Sequence, residues 1–197
     1  ELSPALLSSS IMNVELPDRP EHDDIPDAGN LISLQHRFIL GLLAGNSMSD
    51  ENLTANLKML SIPVGTKNII PIVMSIDNYM DKIQSADLKR KNTIEFSTIQ
   101  ICNDILHSCC SGIITHIEKE LYCILISMQN ISSIADRENL LHSITLQLSS
   151  NLKRYMNLSV SMSIGPLSSN LSDIADSFSI AERSLSQKFF EGNNSII

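Results

Sequence analysis

Apolar residues recur along this chain at helical spacing in some stretches and as short dense runs in others, and that contrast sketches its elements. Leu31, Leu34, Phe38 and Leu42, joined by Ile39 and Leu43, share one broad stripe. Residues 31–44 are therefore predicted to form an amphipathic helix, which Gly45-Asn46 closes. A second helix is predicted over 50–60, with Leu53, Leu57 and Leu60 on one face and an end forced ahead of Pro63. Residues 68–77, NIIPIVMSID, are the β-branched, unbroken apolar run of a buried central strand. Pro71 within it has no N–H for a ladder and must stand where that absence does no harm.

Beyond a polar stretch at 81–92, Ile94, Ile101 and Ile105, flanked by Ile99, Cys102 and Leu106, predict a long helix. Apolar runs at 112–115 and 121–128 bracket the charged HIEKE of 116–120, the pattern of a β-hairpin with a polar tip. Leu141, Ile144, Leu148 and Leu152 give a further helix. In 157–165, Leu158, Val160, Met162 and Ile164 alternate with Asn and Ser, so one face of that strand is core and the other small and polar. Leu171, Ile174, Phe178, Ala181, Leu185 and Phe189 return at spacings of three and four on one helical face. Gly192-Asn193-Asn194 then turns into a terminal Ser-Ile-Ile strand.

From Asn68 the order is strand, helix, strand, strand, helix, strand, helix, short strand. A hairpin between helix-linked strands implies an α/β protein of the α+β kind, a ferredoxin-like mixed sheet with flanking helices, preceded by an N-terminal helical segment. Three regions follow. Residues 1–29 are a linker or the tail of an upstream module: 15–29, ELPDRPEHDDIPDAG, sets three prolines among acidic residues, while Leu2, Leu6, Leu7, Ile11 and Val14 suit the end of a helix. Residues 30–66 are the helical segment, and 67–197 are the sheet domain. No repeat occurs at solenoid periods. The chain opens on Glu1 with no signal-peptide pattern and is expected to be a piece of a longer protein.

Charge narrows the function. With 14 Lys+Arg against 22 Asp+Glu, a net charge of −8, the chain has little with which to hold phosphates, and no direct nucleic-acid binding is expected of it. No apolar run reaches the roughly 20 residues of a membrane span, so no membrane contact is expected either. Cys102, Cys109, Cys110 and Cys123 lack C-x-x-C spacing, which fits a reducing cytoplasm. The Asn-x-Ser/Thr triplets at Asn52, Asn130, Asn157 and Asn170 are what a serine-rich sequence produces by chance.

Candidate chemistry is sparse. His107, Cys109 and Cys110, with His116 nearby, contain zinc-type donors, but adjacent cysteines at a helix end do not have tetrahedral ligand spacing, and they read as core thiols with a surface histidine. Seven scattered glycines form neither a P-loop nor a dinucleotide fingerprint, and no G-x-S-x-G occurs. Asp77 at the end of the first strand and Glu118 and Glu120 in the hairpin are the carboxylates a fold of this kind brings near each other, as Mg²⁺ sites require, although hairpin tips are also charged simply because they face water.

The block 159–197 resembles the end of the middle domain of AraC-type transcription regulators of Gram-positive bacteria. Ile164-Gly165 close a strand, Phe178 to Ala181 supply an aromatic-x-x-Ala motif in a helix, and Phe189 to Gly192 end it as Phe-x-x-Gly before a short strand. Residues 34–46, LQHRFILGLLAGN, are similar to the helix that opens the same region, so the resemblance spans residues 31–197. That middle domain is itself similar to a GGDEF domain, the fold of diguanylate cyclases, and the resemblance implies that 67–197 is a degenerate GGDEF-like domain of nucleotide-cyclase type. In active cyclases a first-strand Asp-x-Asp and the Gly-Gly-Asp-Glu-Phe hairpin hold metal and admit the nucleotide. Here the strand reads Ser75-Ile76-Asp77 and the hairpin Ile117-Glu118-Lys119-Glu120-Leu121. A lysine in place of the aspartate repels a cation, and side chains in place of the glycines block close approach. The expectation is no cyclase activity, with no catalytic, cofactor-binding or metal-binding residues and no cofactor.

The resemblance thus implies a cytoplasmic, non-catalytic signal-relay and dimerisation domain. It would couple an upstream receiver or sensor domain to a downstream helix-turn-helix DNA-binding domain of the same chain, as a homodimer. Phe38, Leu42, Phe178 and Phe189 are the expected carriers of the relay, in elements at its two ends, and ordinary core packing is their competing role. The alternative is a small-molecule or nucleotide sensor that reuses the former cyclase cleft around Asp77 and Glu120.

Overall fold

The computed structural model describes residues 28–46, 48–80, 83, 86–186 and 192–197. Two helices come first, α1 (Ala28–Leu43) and α2 (Asp50–Met59), then β1 (Lys67–Ile76), α3 (Leu88–Cys109), the hairpin β2 (Gly112–Glu118) and β3 (Leu121–Ser127), α4 (Ile134–Met156), β4 (Val160–Ile164), β5 (Ser168–Asn170), a 3-10 turn at Leu171–Asp173, and α5 (Ile174–Leu185). The expected helix tail at 2–14 and the linker up to residue 27 lie outside the described residues, as does Phe189. No helix among the described residues is long and apolar enough to cross a membrane.

The strands lie in the order β2-β3-β1-β4, with β5 also paired to β1. β1 and β2, joined by a helix, run the same way, but β3 inserts between them, so every pair of neighbouring strands is antiparallel. The parallel component of the sheet is confined to the C-terminal tail, where Ile196 bridges Met162. Pro71 occupies the centre of the central strand without breaking it. β4 pairs with β1 up to Ile72 and β5 resumes at Ile69, and the Pro71 carbonyl accepts from Gly165 N–H (2.8 Å) in the gap between them, so the missing N–H faces an interruption of the ladder.

Alternate residues of the strands feed two cores. Ile70, Ile72, Met74 and Ile76 of β1 pack with Tyr122, Ile124 and Ile126 of β3 under α3 and α4, through Cys102, Leu106, Ile144 and Leu148 among others. Ile69 and Val73 of β1 and Cys123 and Leu125 of β3 face the opposite way, under α1, α2 and α5. Ile39, Leu42 and Leu43 of α1 and Leu53, Leu57 and Leu60 enter this second core, while Leu31, Leu34 and Phe38 pack against it half-buried. Each buried aliphatic side chain contributes about 1.5–3 kcal/mol, so the helices of segment 30–66 are firmly seated on the sheet.

Several elements differ in extent from the sequence reading. α3 begins at Leu88, six residues ahead of its apolar stripe, because Asp87 caps it by accepting from Arg90 N–H (2.7 Å). Ser133 likewise starts α4 ahead of Leu141. β2 continues through the charged residues to Glu118, with a bulge between His116 and Glu118, leaving only Lys119-Glu120 as the tip. β5, Ser-Ser-Asn, has no apolar signal and was not expected. The last helix divides into the 3-10 turn and α5. Finally, the serine face of β4 is not exposed: Ser161 and Ser163 are wholly buried beneath α5. Small side chains there let the helix approach closely, and at Gly165 a Cβ would lie 2.7 Å from the Ser177 carbonyl oxygen and 2.8 Å from the Pro71 ring.

Candidate functional site

The end of β1 and the tip of the hairpin meet as the sequence suggested, but through main chain. Ile76 N–H donates to Glu120 O (3.0 Å) on one side, and Asp77 N–H to Ser159 O (2.9 Å) on the other. The Asp77 carboxylate turns to the second side and is buried, 1% exposed. Ser159 Oγ donates to its Oδ2 (2.7 Å), Ser161 Oγ to its Oδ1 (2.8 Å) and Asn194 N–H to its Oδ2 (2.9 Å). Ser149 Oγ further holds the Asn194 side chain (2.6 Å), and Asn194 itself takes the left-handed conformation (φ 63°) that an asparagine tolerates. Three ladder bonds continue this anchorage: Met162 N–H to Ser195 O, Ile197 N–H to Met162 O and Ile164 N–H to Ile197 O. Asp77 is thus the centre of a latch that fastens residues 194–197 to β4.

The hairpin carboxylates are elsewhere. Glu118 is exposed and Glu120 half-buried, and neither joins Asp77. Lys119 is exposed with a positive φ of 44°, a backbone geometry that favours glycine. Ser75, two positions ahead of Asp77 on β1, is buried. Among the described residues no group of three His, Cys, Asp or Glu side chains could hold a metal ion.

The His-Cys cluster disperses. His107 is exposed; Cys109 lies against Gln147 Oε1 and Ser108, and Cys110 has its thiol pushed up to about 11, first by burial and then by the neighbouring Cys109. All four cysteines are free thiols. His116 belongs to a different group at the outer edge of the sheet. Its Nδ1 pairs with Glu95 Oε1 (3.2 Å), its Nε2 meets Lys119 O (3.0 Å) across the hairpin tip, and its ring tilts against Tyr122 with centroids 4.9 Å apart. Beside it His36 Nδ1 lies 2.7 Å from Thr115 Oγ1. Burial, followed by the neighbouring His116, holds the His36 imidazole below its ordinary value, against a smaller opposing pull from Glu95. These groups line a cavity of about 360 Å³ between α1, α3 and the edge strand β2.

Sequence reasoning missed both arrangements for physical reasons. Ser159 and Ser161 read only as the small, polar face of a strand, and the buried acid they share is what reveals them. His36 sits on the flank of an apolar stripe, where periodicity carries no message about partners seventy-nine positions away. Of the expected relay residues, Leu42 and Phe178 are buried in one core and Phe38 packs against it.

No family model and no curated protein matches this chain. Among solved structures it is similar to the GGDEF domain of YfiN (TpbB) from Pseudomonas aeruginosa, with a TM-score of 0.52 and 10% identity over 81% of this chain and 91% of that one. The active GGEEF domain of a diguanylate cyclase from Vibrio cholerae aligns with a TM-score of 0.49 and 13% identity, over 74% of this chain and 88% of that one. At such identities the likeness concerns architecture: the chain has the fold of GGDEF domains.

Proposed function

We propose that this chain is a non-catalytic relay and dimerisation domain of an AraC-type transcription regulator, coupling an upstream input module to a downstream helix-turn-helix DNA-binding domain in the cytoplasm. The observation that carries the reading is the latch. The carboxylate that remains at the end of the first strand is committed to Ser159, Ser161 and Asn194 N–H. It holds the C-terminal segment instead of facing a substrate. Ser75, Lys119 and the side chains of Ile117 and Glu118 argue the same way, since a site for a metal-bound triphosphate needs acids and bare backbone at those places. Mechanically, α1 and α5 lie against each other in one core on one face of the sheet, so a shift in α1 packing reaches the element that leads to the tail.

Two measurements test this. Purified protein given GTP with Mg²⁺ or Mn²⁺ is expected to release no cyclic dinucleotide and to scatter light as a ligand-independent dimer; turnover would overturn the non-catalytic reading. In cells, Phe38→Ala in the intact regulator is expected to change promoter output. An unchanged response together with an unchanged oligomeric state would count against the relay.

A further inference from the structure

The cavity beside β2 has the features of a built ligand site and plays no part in the relay argument. Its volume of about 360 Å³ falls at the small end of the range for ligand pockets, about 300–1,000 Å³. One wall is the edge strand, and the other two are α1 and α3. The inner surface is apolar, formed by Ile39, Ile99 and Ile113, and two apolar side chains stand at its rim in water, Phe96 at 64% and Ile32 at 57% exposure. Exposed aromatic and aliphatic groups beside an apolar recess gain from a covering molecule.

The charges in the cavity select the sign of that molecule. Glu95 is its one carboxylate, and His116 Nδ1 stands 3.2 Å from it. Arg37 lines the same space, and among the described residues no acid pairs with it, although the chain as a whole is acidic. His36 engages Thr115 through Nδ1, which leaves Nε2 for a further partner. A cationic ligand would meet Arg37 and two imidazoles with the single acid occupied. A carboxylate would meet a free guanidinium with fork geometry and an imidazole beside it.

We propose that this cleft binds a small amphipathic monocarboxylate, its apolar body against Ile39, Phe96, Ile99 and Ile113 and its carboxylate at Arg37 and His36. The site lies on the edge strand β2, two strands from the β1 that ends at Asp77, and does not depend on the relay reading. If no ligand binds, the latch at Asp77 is untouched.

The test uses octanoate and benzoate as probes, with octylamine and inorganic phosphate as controls, in calorimetric and amide-shift titrations of the full 197-residue chain. One of the two acids is expected to saturate one site per chain, with shifts centred on residues 36–39 and 113–116. Arg37→Gln and Phe96→Ser, both at exposed positions, are each expected to weaken binding by about tenfold. Four outcomes would overturn the proposal: no saturation by either acid up to about 10 mM, octylamine or phosphate binding as well as the acids, both variants binding like the parent, or shifts centred on the hairpin tip.

Discussion

At Asp77 a buried carboxylate collects two hydroxyl donors and one backbone N–H, and each of those donors belongs to a segment distant in sequence. Leaving a buried donor of this kind unpaired costs about 1–3 kcal/mol. Asp77→Asn is therefore expected to lower unfolding stability by that amount in urea titration. Faster amide exchange at Met162, Ile164 and Ile197, whose N–H groups form the tail ladder, would locate the effect there. His36 gives a pH-dependent counterpart. Its imidazole is held below the ordinary value of about 6.5, so the unfolded chain takes up protons more readily than the folded one. The stability tied to the neutral ring is complete above about pH 6.5 and is lost as pH falls toward the lower folded value. Burial sets it first and His116 on β2 second, while Glu95 on α3 pulls the other way; Arg37 of α1 lines the same cavity. Thermal unfolding from pH 8 to pH 5 should show a steeper decline for the parent than for His36→Gln; parallel curves would assign the decline to other groups.

At the scale of elements, the contact between α5 and the sheet is governed by the absence of side-chain bulk. Gly165→Ala would drive a methyl group into the Ser177 carbonyl and the Pro71 ring, and overpacking of this kind costs about 1–3 kcal/mol. Denaturant unfolding of that variant measures it, and a cost near zero would mean that α5 slides freely over β4. The same interface explains what the sequence disclosed and what it withheld. Periodic apolar residues announce burial, so the stripes at Leu53-Leu57-Leu60 and Ile174-Phe178-Ala181-Leu185 located their helices and faces correctly. Helix starts were set instead by single caps, Asp87 and Ser133, ahead of the stripe. β5 rests on main-chain pairing of a Ser-Ser-Asn segment, for which no hydrophobic pattern exists. The polar face of β4 is legible as small but not as buried, since alternation of Ser with apolar residues looks alike whether water or a helix covers it. The contacts of the Asp77 carboxylate and the His36–Thr115 contact join residues more than seventy-five positions apart, which only the assembled sheet brings together.

For the whole molecule, the two faces of the sheet have different characters: one is closed by the pair α3 and α4, the other by the first two helices together with α5. Its two edges differ as well. On the β2 side, α1 and α3 flank the strand. On the β4 side, the protection is residues 194–197, bonded along Met162 and Ile164 and fastened at Asp77. An unpaired strand edge is a template for addition of further chains. The latch therefore also guards colloidal behaviour: releasing residues 194–197 would leave β4 open to edge-to-edge growth, and damage at one buried acid would surface as precipitation and fibril seeding.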